Sequence, residues 1–198
     1  MPHQVKSLGL ATGVLVAAAL GWKASRHSVS AREERIFRTF NDAHDALHLP
    51  AWVVMQSGSL AAVVVVSAEL LKRGRKQTAA ASLVAGIAVW SGVKIIKPIV
   101  GRGRPSACLA DVTVRGSAQS GLGFPSGHAA VATTLALIAT RGAGPMARSS
   151  AVMVAGVTGA ARMYVGAHLP LDVVEGVTLG LLCGHLVNHV LNNQHQLS

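Results

Sequence analysis

The chain has 198 residues, of which 51% are hydrophobic and 13% charged, and its mean hydropathy is +0.45. This composition is typical of integral membrane proteins and excludes an ordinary soluble domain. The formal net charge of +10 would suit nucleic acid if the basic residues followed one polar face, but they lie in short tracts between long apolar runs. Membrane topology and anionic lipid or phosphate explain that placement better, so we expect no nucleic-acid partner.

Six apolar segments predict an all-α integral membrane protein, a six-helix bundle that forms a single domain over residues 1–198. The first segment follows Lys6 in the manner of a secretory signal, but it lacks a convincing cleavage site and is interpreted as a retained span. It is short for a hydrocarbon core of about 30 Å, so flanking residues must reach the interface or the bilayer must thin. The predicted spans are about 7–22, 50–71, 78–97, 126–140, 149–165 and 171–191.

Residues 31–48, between the first two spans, predict an amphipathic helix that lies on the membrane surface. Apolar residues recur there at helical spacing against a charged face, and the segment begins with the capping box Ser30-x-x-Glu33. His44 and His48 lie four residues apart and form a candidate metal site with the aspartate between them. Interfacial histidines are the favoured interpretation, because no further ligand follows at zinc-site spacing.

Six spans also determine which polar residues share a face, because each crossing reverses the direction of the chain. The end of the third span, the start of the fourth, the end of the fifth and the start of the sixth fall on the same side. By the positive-inside rule the other side is cytoplasmic, which predicts an extracytoplasmic site, in a bacterial plasma membrane. The short loops of the cytoplasmic side carry Lys72, Arg73, Arg75, Lys76, Arg141 and Arg148.

Three cations lie at span ends on the shared face: Lys97, Arg104 and Arg162. Guanidinium groups match phosphate oxygens two at a time and an ammonium acts as a point charge, so together they predict a phosphate clamp. Each cation taken alone is better explained as a side chain reaching the interface. Only their convergence favours the phosphate site.

Pro125-Ser126-Gly127-His128 has the residue pattern of a helix start. Proline suits the first turn, serine caps it, glycine lets the backbone approach a ligand, and the free amide groups of a helix start bind anions. A plain capped helix explains Pro125 and Ser126. It gives no reason for His128, which would face the anion from the first turn.

His168 and Asp172 are four residues apart across Pro170, which should begin the sixth helix. The carboxylate would hold the proton on one imidazole nitrogen and leave the other free as a nucleophile or general base. With two histidines, one attacks phosphorus and the other donates a proton to the leaving oxygen. Taken alone, the His168 and Asp172 pair is equally compatible with a structural contact or half of a metal site.

Lys97-x6-Arg104-Pro105, Pro125-Ser126-Gly127-His128 and Ala161-Arg162-x5-His168-x3-Asp172 together resemble the three-part signature of the type 2 phosphatidic acid phosphatase superfamily, whose membrane members have six spans. The motifs cover about 76 residues, in the family's order and with matching spacing. Ala161 departs from the serine that usually precedes the arginine. Little loss is expected, because Arg162 is retained.

The resemblance implies a membrane lipid phosphatase that uses neither a metal nor another cofactor. His168 would form a phosphohistidine, Asp172 would orient it, and His128 would protonate the leaving group and later activate water. Cationic side chains would take the role that a magnesium ion often has in phosphoryl transfer. The phosphoryl oxygens would be held by Lys97, Arg104, Ser126, the Gly127 amide and Arg162.

The leading hypothesis for the substrate is a polyprenyl phosphate or diphosphate whose tail stays in the bilayer. Phosphatidic acid and phosphatidylglycerol phosphate are the alternatives, and a lipid phosphotransferase is also open, since an acceptor other than water can intercept a phosphohistidine. Vanadium haloperoxidases have a similar residue set but are soluble helical proteins. An anion channel or transporter is more distant, because its charges would be spread in depth and not clustered at one face.

A few features are left unassigned by the sequence, as is the oligomeric state. Glu175 lies one turn below Asp172 and either tunes the site or hydrogen-bonds another span. His185 and His189 are best explained by packing or interface placement. Asp111 and Arg115, in the polar connection over residues 98–122, are candidates for shaping headgroup choice.

Overall fold

The computed structural model describes residues 2–26, 28–117 and 120–194, and the regular structure within them is helical. The all-α prediction is therefore confirmed for these residues. Short 3-10 turns at Asp45–Leu47 and Gln56–Gly58 flank the third helix. The helices are α1 (Pro2–Arg26), α2 (Ala31–Asn41), α3 (His48–Met55), α4 (Leu60–Lys72), α5 (Lys76–Val100), α6 (Pro105–Cys108), α7 (Gly127–Ala139), α8 (Pro145–Tyr164) and α9 (Pro170–Gln194).

Two helical stretches of the described residues, Lys76–Cys108 and Pro170–Gln194, are long and apolar enough to cross a membrane. A third crossing results if Asp45–Gly58 and Leu60–Lys72 act as one bent span, and Gly127–Ala139 is apolar but shorter. The predicted first and fifth spans coincide with α1 and α8, which do not belong to this set. The structure thus has two or three candidate spans, and the count of six is not confirmed.

The predicted second span, 50–71, is not one straight helix. Its two parts meet at 63°, because Ser59 leaves the helical conformation and caps α4 by accepting the Ala62 N–H. Gly58 lies so close to the carbonyl of His128 that any side chain at this position would overlap it. The bend therefore brings the Gln56–Gly58 turn against the start of α7.

The amphipathic helix predicted over 31–48 ends early, at Asn41. The buried Asn41 side chain accepts the Thr113 N–H at 3.0 Å and donates to the Thr113 and Tyr164 carbonyls at 2.9 and 3.0 Å. Phe37 is buried against Met163 and Leu169. At Phe37 the apolar face of α2 is therefore covered by protein and not by the bilayer, which corrects the interpretation of this segment as a surface helix only.

The helix α7 lies at the centre of the structure and packs against α5, α8 and α9. Three glycines one turn apart, at 176, 180 and 184, form the side of α9 that meets α7. A β-carbon on Gly180 would lie 2.6 Å from the carbonyl oxygen of Ala130, well inside van der Waals contact. The close approach of the two helices thus depends on the absence of side chains along this stripe.

We expect Gly180→Ala to destabilise the protein by about 1–3 kcal/mol, because the added methyl group must push α9 away from α7. The matched control is Gly156→Ala on α8, where an added β-carbon meets no atom within 4 Å. Thermal unfolding in detergent measures both. Equal melting temperatures for the two variants would contradict the close packing described here.

Candidate active site

The three sequence motifs meet at one end of the helices. The backbone N–H of Ser126, at the start of α7, donates to the carbonyl of Asp172, in the first turn of α9, at 2.9 Å. Lys97, in the last turn of α5, reaches the segment that leads into α7. At the other end of the helices, Arg75 donates to the carbonyls of Ala139 and Arg141.

Lys97 is partly engaged with the backbone. Its Nζ donates to the carbonyl oxygens of Leu122 and Gly123 at 2.8 and 3.0 Å. An ammonium group has three N–H donors, so the lysine can support this loop and still present a donor and its charge to an anion.

Arg104 and Arg162 line a cavity of about 420 Å³ together with His128. The Arg104 Nη1 donates to the carbonyl of Ala167 at 2.8 Å, which anchors one side of its guanidinium next to His168. Arg162 is almost completely buried, and its Nη1 lies 3.5 Å from the Met55 sulfur. The other walls of the cavity include His48, Trp52, Gln56 and Ser106.

Ser126 is the N-cap of α7, and its Oγ accepts the N–H of Ala129 at 3.5 Å. Since that bond uses an oxygen lone pair, the hydroxyl hydrogen is available to a further acceptor. The Gly127 and His128 amides belong to the first turn of the helix, where N–H groups have no partner within the helix. The predicted helix start at this motif therefore has the local structure of an anion site.

His168 is 3% exposed and Asp172 is fully buried. The imidazole Nδ1 lies 3.5 Å from Asp172 Oδ2, at the outer limit of hydrogen-bond distance. The same carboxylate oxygen accepts the Leu169 N–H at 2.8 Å. Burial lowers the pKa of His168 below its usual value, against the raising effect of Asp172, while the charges of Arg162 and Lys97 add to the lowering. The imidazole is thus neutral at neutral pH, the form a nucleophile requires.

Sequence reasoning missed two residues at this site, Arg102 and Glu33. Arg102 is 6% exposed. Its Nη1 donates to Asp172 Oδ1 at 3.1 Å, and its guanidinium also pairs with both Glu33 oxygens, at 3.0 and 2.7 Å. The capping box predicted at Glu33 forms, since its backbone N–H donates to Ser30 Oγ, but its side chain faces Arg102.

The sequence contains a signal that could have marked both residues as part of the site. Acidic residues are rare in this chain, and Arg102 lies inside the first motif.

Arg115 holds the connection between α5 and α7 in place. Arg115 donates to Asp45, to the carbonyls of Asn41, Ala43 and Tyr164, and stacks on the Tyr164 ring at 4.2 Å. All three guanidinium nitrogens are thus engaged within the protein. Arg115 therefore stabilises the loop, and it also lines the cavity next to Arg104 and Arg162, so its part in headgroup choice stays a prediction.

His44 and Glu175 are two further polar residues that the sequence singled out. His44 caps the following 3-10 turn, with its Nδ1 accepting the Ala46 N–H at 3.1 Å. Glu175 is buried one turn along α9 from Asp172. Among residues 2–26, 28–117 and 120–194, no group of three or more His, Cys, Asp or Glu side chains is placed to hold a metal ion.

Comparison with known proteins matches residues 77–196 to the PAP2 superfamily, a range that includes all three motifs. The decaprenylphosphoryl-5-phosphoribose phosphatase of Mycobacterium tuberculosis is 31% identical over 149 residues, which cover 75% of this chain and 76% of that protein.

Two solved structures share the fold. The PAP2-type phosphatidylglycerolphosphate phosphatase of Bacillus subtilis superposes with a TM-score of 0.79 at 22% identity, over 93% of this chain and 96% of its own. LpxE of Aquifex aeolicus superposes with a TM-score of 0.70 at 25% identity, over 80% and 95% of the two chains.

The chain belongs to the PAP2 superfamily. The resemblance found in the motifs is thereby confirmed, and the protein is a membrane lipid phosphate phosphatase.

Proposed function

We propose that this protein removes a terminal phosphate from a polyprenyl-linked lipid through a phosphohistidine at His168. The observation that carries the proposal is a buried histidine, 3.5 Å from a buried carboxylate, that directly follows Ala167, a residue of the cavity that two arginines and a second histidine line. A neutral imidazole next to fixed positive charges suits attack on a phosphate.

In the first step the Nε2 of His168 attacks phosphorus. A P–N bond forms while the bond from phosphorus to the leaving oxygen breaks, and the positive charge that develops on the imidazole is stabilised by Asp172 at Nδ1. His128, on the cavity wall, donates a proton to the leaving oxygen.

In the second step the roles of His128 reverse. The imidazole, now without its proton, takes one from a water molecule, whose oxygen attacks phosphorus. The P–N bond breaks, inorganic phosphate leaves, and both histidines return to their starting protonation. The use of one group as acid and then as base follows from microscopic reversibility.

The negative charge of the phosphoryl group is balanced by the protein. Arg104 and Arg162 bind its oxygens from the cavity wall, Lys97 contributes a point charge, and the helix start at Ser126 and Gly127 contributes N–H and O–H donors. Because these cations surround the group being transferred, the reaction proceeds without a metal ion.

The whole chain acts as one membrane domain with six crossings. Its shorter or more polar helices cross the membrane while packed against neighbouring helices. The alternation of helix ends supports this arrangement, since Ser126 meets Asp172 at one end and Arg75 meets Ala139 at the other. The loops with unbalanced basic charge then face the cytoplasm, and the site opens on the extracytoplasmic side of a bacterial plasma membrane.

The substrate assignment rests on the cavity and on the relative from M. tuberculosis, whose name gives its substrate as a decaprenyl-linked 5-phosphoribose. The cavity of about 420 Å³ extends past the arginines to Trp52, Gln56 and Ser106. It therefore accommodates a polar unit larger than the phosphate itself. We assign this space to a sugar between the scissile phosphate and the lipid phosphate.

A panel of lipids tests the substrate. We expect phosphate release to be fastest from a polyprenylphosphoryl pentose 5-phosphate, and kcat/KM at least about tenfold lower for polyprenyl phosphate and diphosphate, phosphatidic acid and phosphatidylglycerol phosphate, since each factor of ten requires only about 1.4 kcal/mol of added binding. Preference for a glycerolipid would overturn the polyprenyl assignment. Transfer of phosphate to a lipid acceptor in place of water would identify a phosphotransferase.

His168→Ala should abolish turnover, and His128→Ala should slow it by about 10²- to 10⁴-fold, the usual contribution of a general acid–base group. Acid quenching of wild-type enzyme with ³²P-labelled lipid should trap an acid-labile phosphoenzyme that His168→Ala lacks. Turnover should be insensitive to EDTA and inhibited by vanadate. A metal-dependent activity that survives His168→Ala would exclude this mechanism.

Orientation is tested at Cys108, which is exposed near the site. An impermeant maleimide should label it in intact cells, and the Cys108→Ser variant, which retains Cys183, controls for other thiols. Labelling that requires permeabilised cells would place the site on the cytoplasmic side.

A further inference from the structure

A buried chain of charged groups runs from α2 to the proposed nucleophile. Arg102 lies between two carboxylates, with Nη1 3.1 Å from Asp172 Oδ1 and Nη2 2.7 Å from Glu33 Oε2. Glu33 also accepts the backbone N–H of Leu171 at 3.0 Å. The chain thus connects an N-terminal helix to both the side chain and the backbone of the segment that begins α9.

The two oxygens of the Asp172 carboxylate have different partners. Arg102 donates to Oδ1, whereas Oδ2 accepts the Leu169 N–H and lies 3.5 Å from the His168 Nδ1. A carboxylate fixed at both oxygens cannot rotate about its terminal bond, so the orientation of His168 depends on the position of Arg102. Rigid support of this kind is what keeps catalytic groups in their productive geometry.

Glu33 balances the charge of Arg102. If Arg102 faced Asp172 alone, the pair would be neutral overall, and the carboxylate would stabilise a positively charged imidazole less well. With Glu33 included, the three groups carry one net negative charge, which favours the charge that develops on His168 during attack. Burial strengthens this effect, since Arg102 and Asp172 are shielded from water.

Glu33 and Arg102 also lie between the site and a second cavity. Glu33 and Arg102 form part of the wall of a second cavity of about 430 Å³, together with Lys23 and Arg26. Asp172 is fully buried behind them. Arg102 and Glu33 therefore separate the carboxylate that orients His168 from the contents of that cavity.

We propose that Glu33 and Arg102 are positioning residues for phosphoryl transfer, which act through Asp172 on His168. The inference rests on the proposed function of His168. It assigns a role in the reaction to α2, which lies outside the range matched to the PAP2 superfamily, residues 77–196. The basis for it is that Arg102 bridges the carboxylates of Glu33 and Asp172, which lie 69 and 70 residues away from it in sequence.

The test compares Glu33→Gln with Glu34→Gln, using phosphate release from farnesyl phosphate. Both glutamates lie on α2 and pair with an arginine, but Glu34 pairs with Arg38 on the helix surface. We expect Glu33→Gln to lower kcat by about 10- to 100-fold, the range associated with small misplacement of a reacting group, with KM changed less than about threefold. Glu34→Gln should leave both constants unchanged.

Two further variants separate positioning from loss of structure. Glu33→Asp retains the charge and should recover most of the kcat lost in Glu33→Gln. In an Asp172→Asn background, Glu33→Gln should lower kcat by less than a further factor of about three, because the effects of residues that act as a unit are not additive. If Glu33→Gln does not fold, Arg102→Lys takes its place: lysine keeps the charge but cannot bridge two carboxylates with a planar fork, so kcat should fall at unchanged KM.

The inference is overturned if Glu33→Gln folds and retains wild-type kcat, if its loss is the same in the Asp172→Asn background, or if activity only follows the folded fraction measured by thermal unfolding. If Arg102→Lys is used instead, a folded variant with wild-type kcat likewise overturns the inference. These outcomes differ from a failure of the proposed function, in which His168→Ala itself remains active.

Discussion

The structure of the site depends on a fully buried carboxylate, Asp172. A charge in that position is tolerated only when other groups satisfy it. Arg102 and the Leu169 amide donate to its side chain, the His168 Nδ1 lies 3.5 Å from it, and the Ser126 N–H donates to its backbone carbonyl. These groups come from three parts of the chain, so satisfying this one residue orders the α5–α7 connection, the start of α7 and the turn between α8 and α9.

Close helix packing is the second requirement. The start of α7 can meet the start of α9 because glycines at 176 and 180 let the backbones approach, and Gly58 lets the bent segment before α4 reach the carbonyl of His128. Larger residues at these positions would separate the elements that carry the two histidines. A site built from side chains at helix ends thus relies on small residues one or two turns deeper in the bundle.

The charges of the site are arranged in two groups with different tasks. On the cavity side, Arg104 and Arg162 are positive and suit a phosphate. On the far side, Glu33, Arg102 and Asp172 carry one net negative charge and suit a histidine that becomes positive. His168 lies between the two groups. In the proposed mechanism, positive charge on the cavity side and negative charge on the far side favour attack by the His168 imidazole on a phosphate anion.

The helical class, the three motifs and their meeting at one end of the molecule could be predicted from the sequence. Apolar periodicity and the reversal of direction at each crossing are local rules that need no coordinates, and the resemblance to the PAP2 superfamily followed from Lys97 to Asp172 alone. Three features could not be predicted in this way: the 63° bend in the second predicted span, the early end of α2 at Asn41 and the pairing of Glu33 with Arg102. Glu33 and Arg102 are 69 residues apart, and the capping box is an adequate local explanation for Glu33. No local pattern pairs distant charges, because their partners are selected by packing and by the need to satisfy a buried carboxylate.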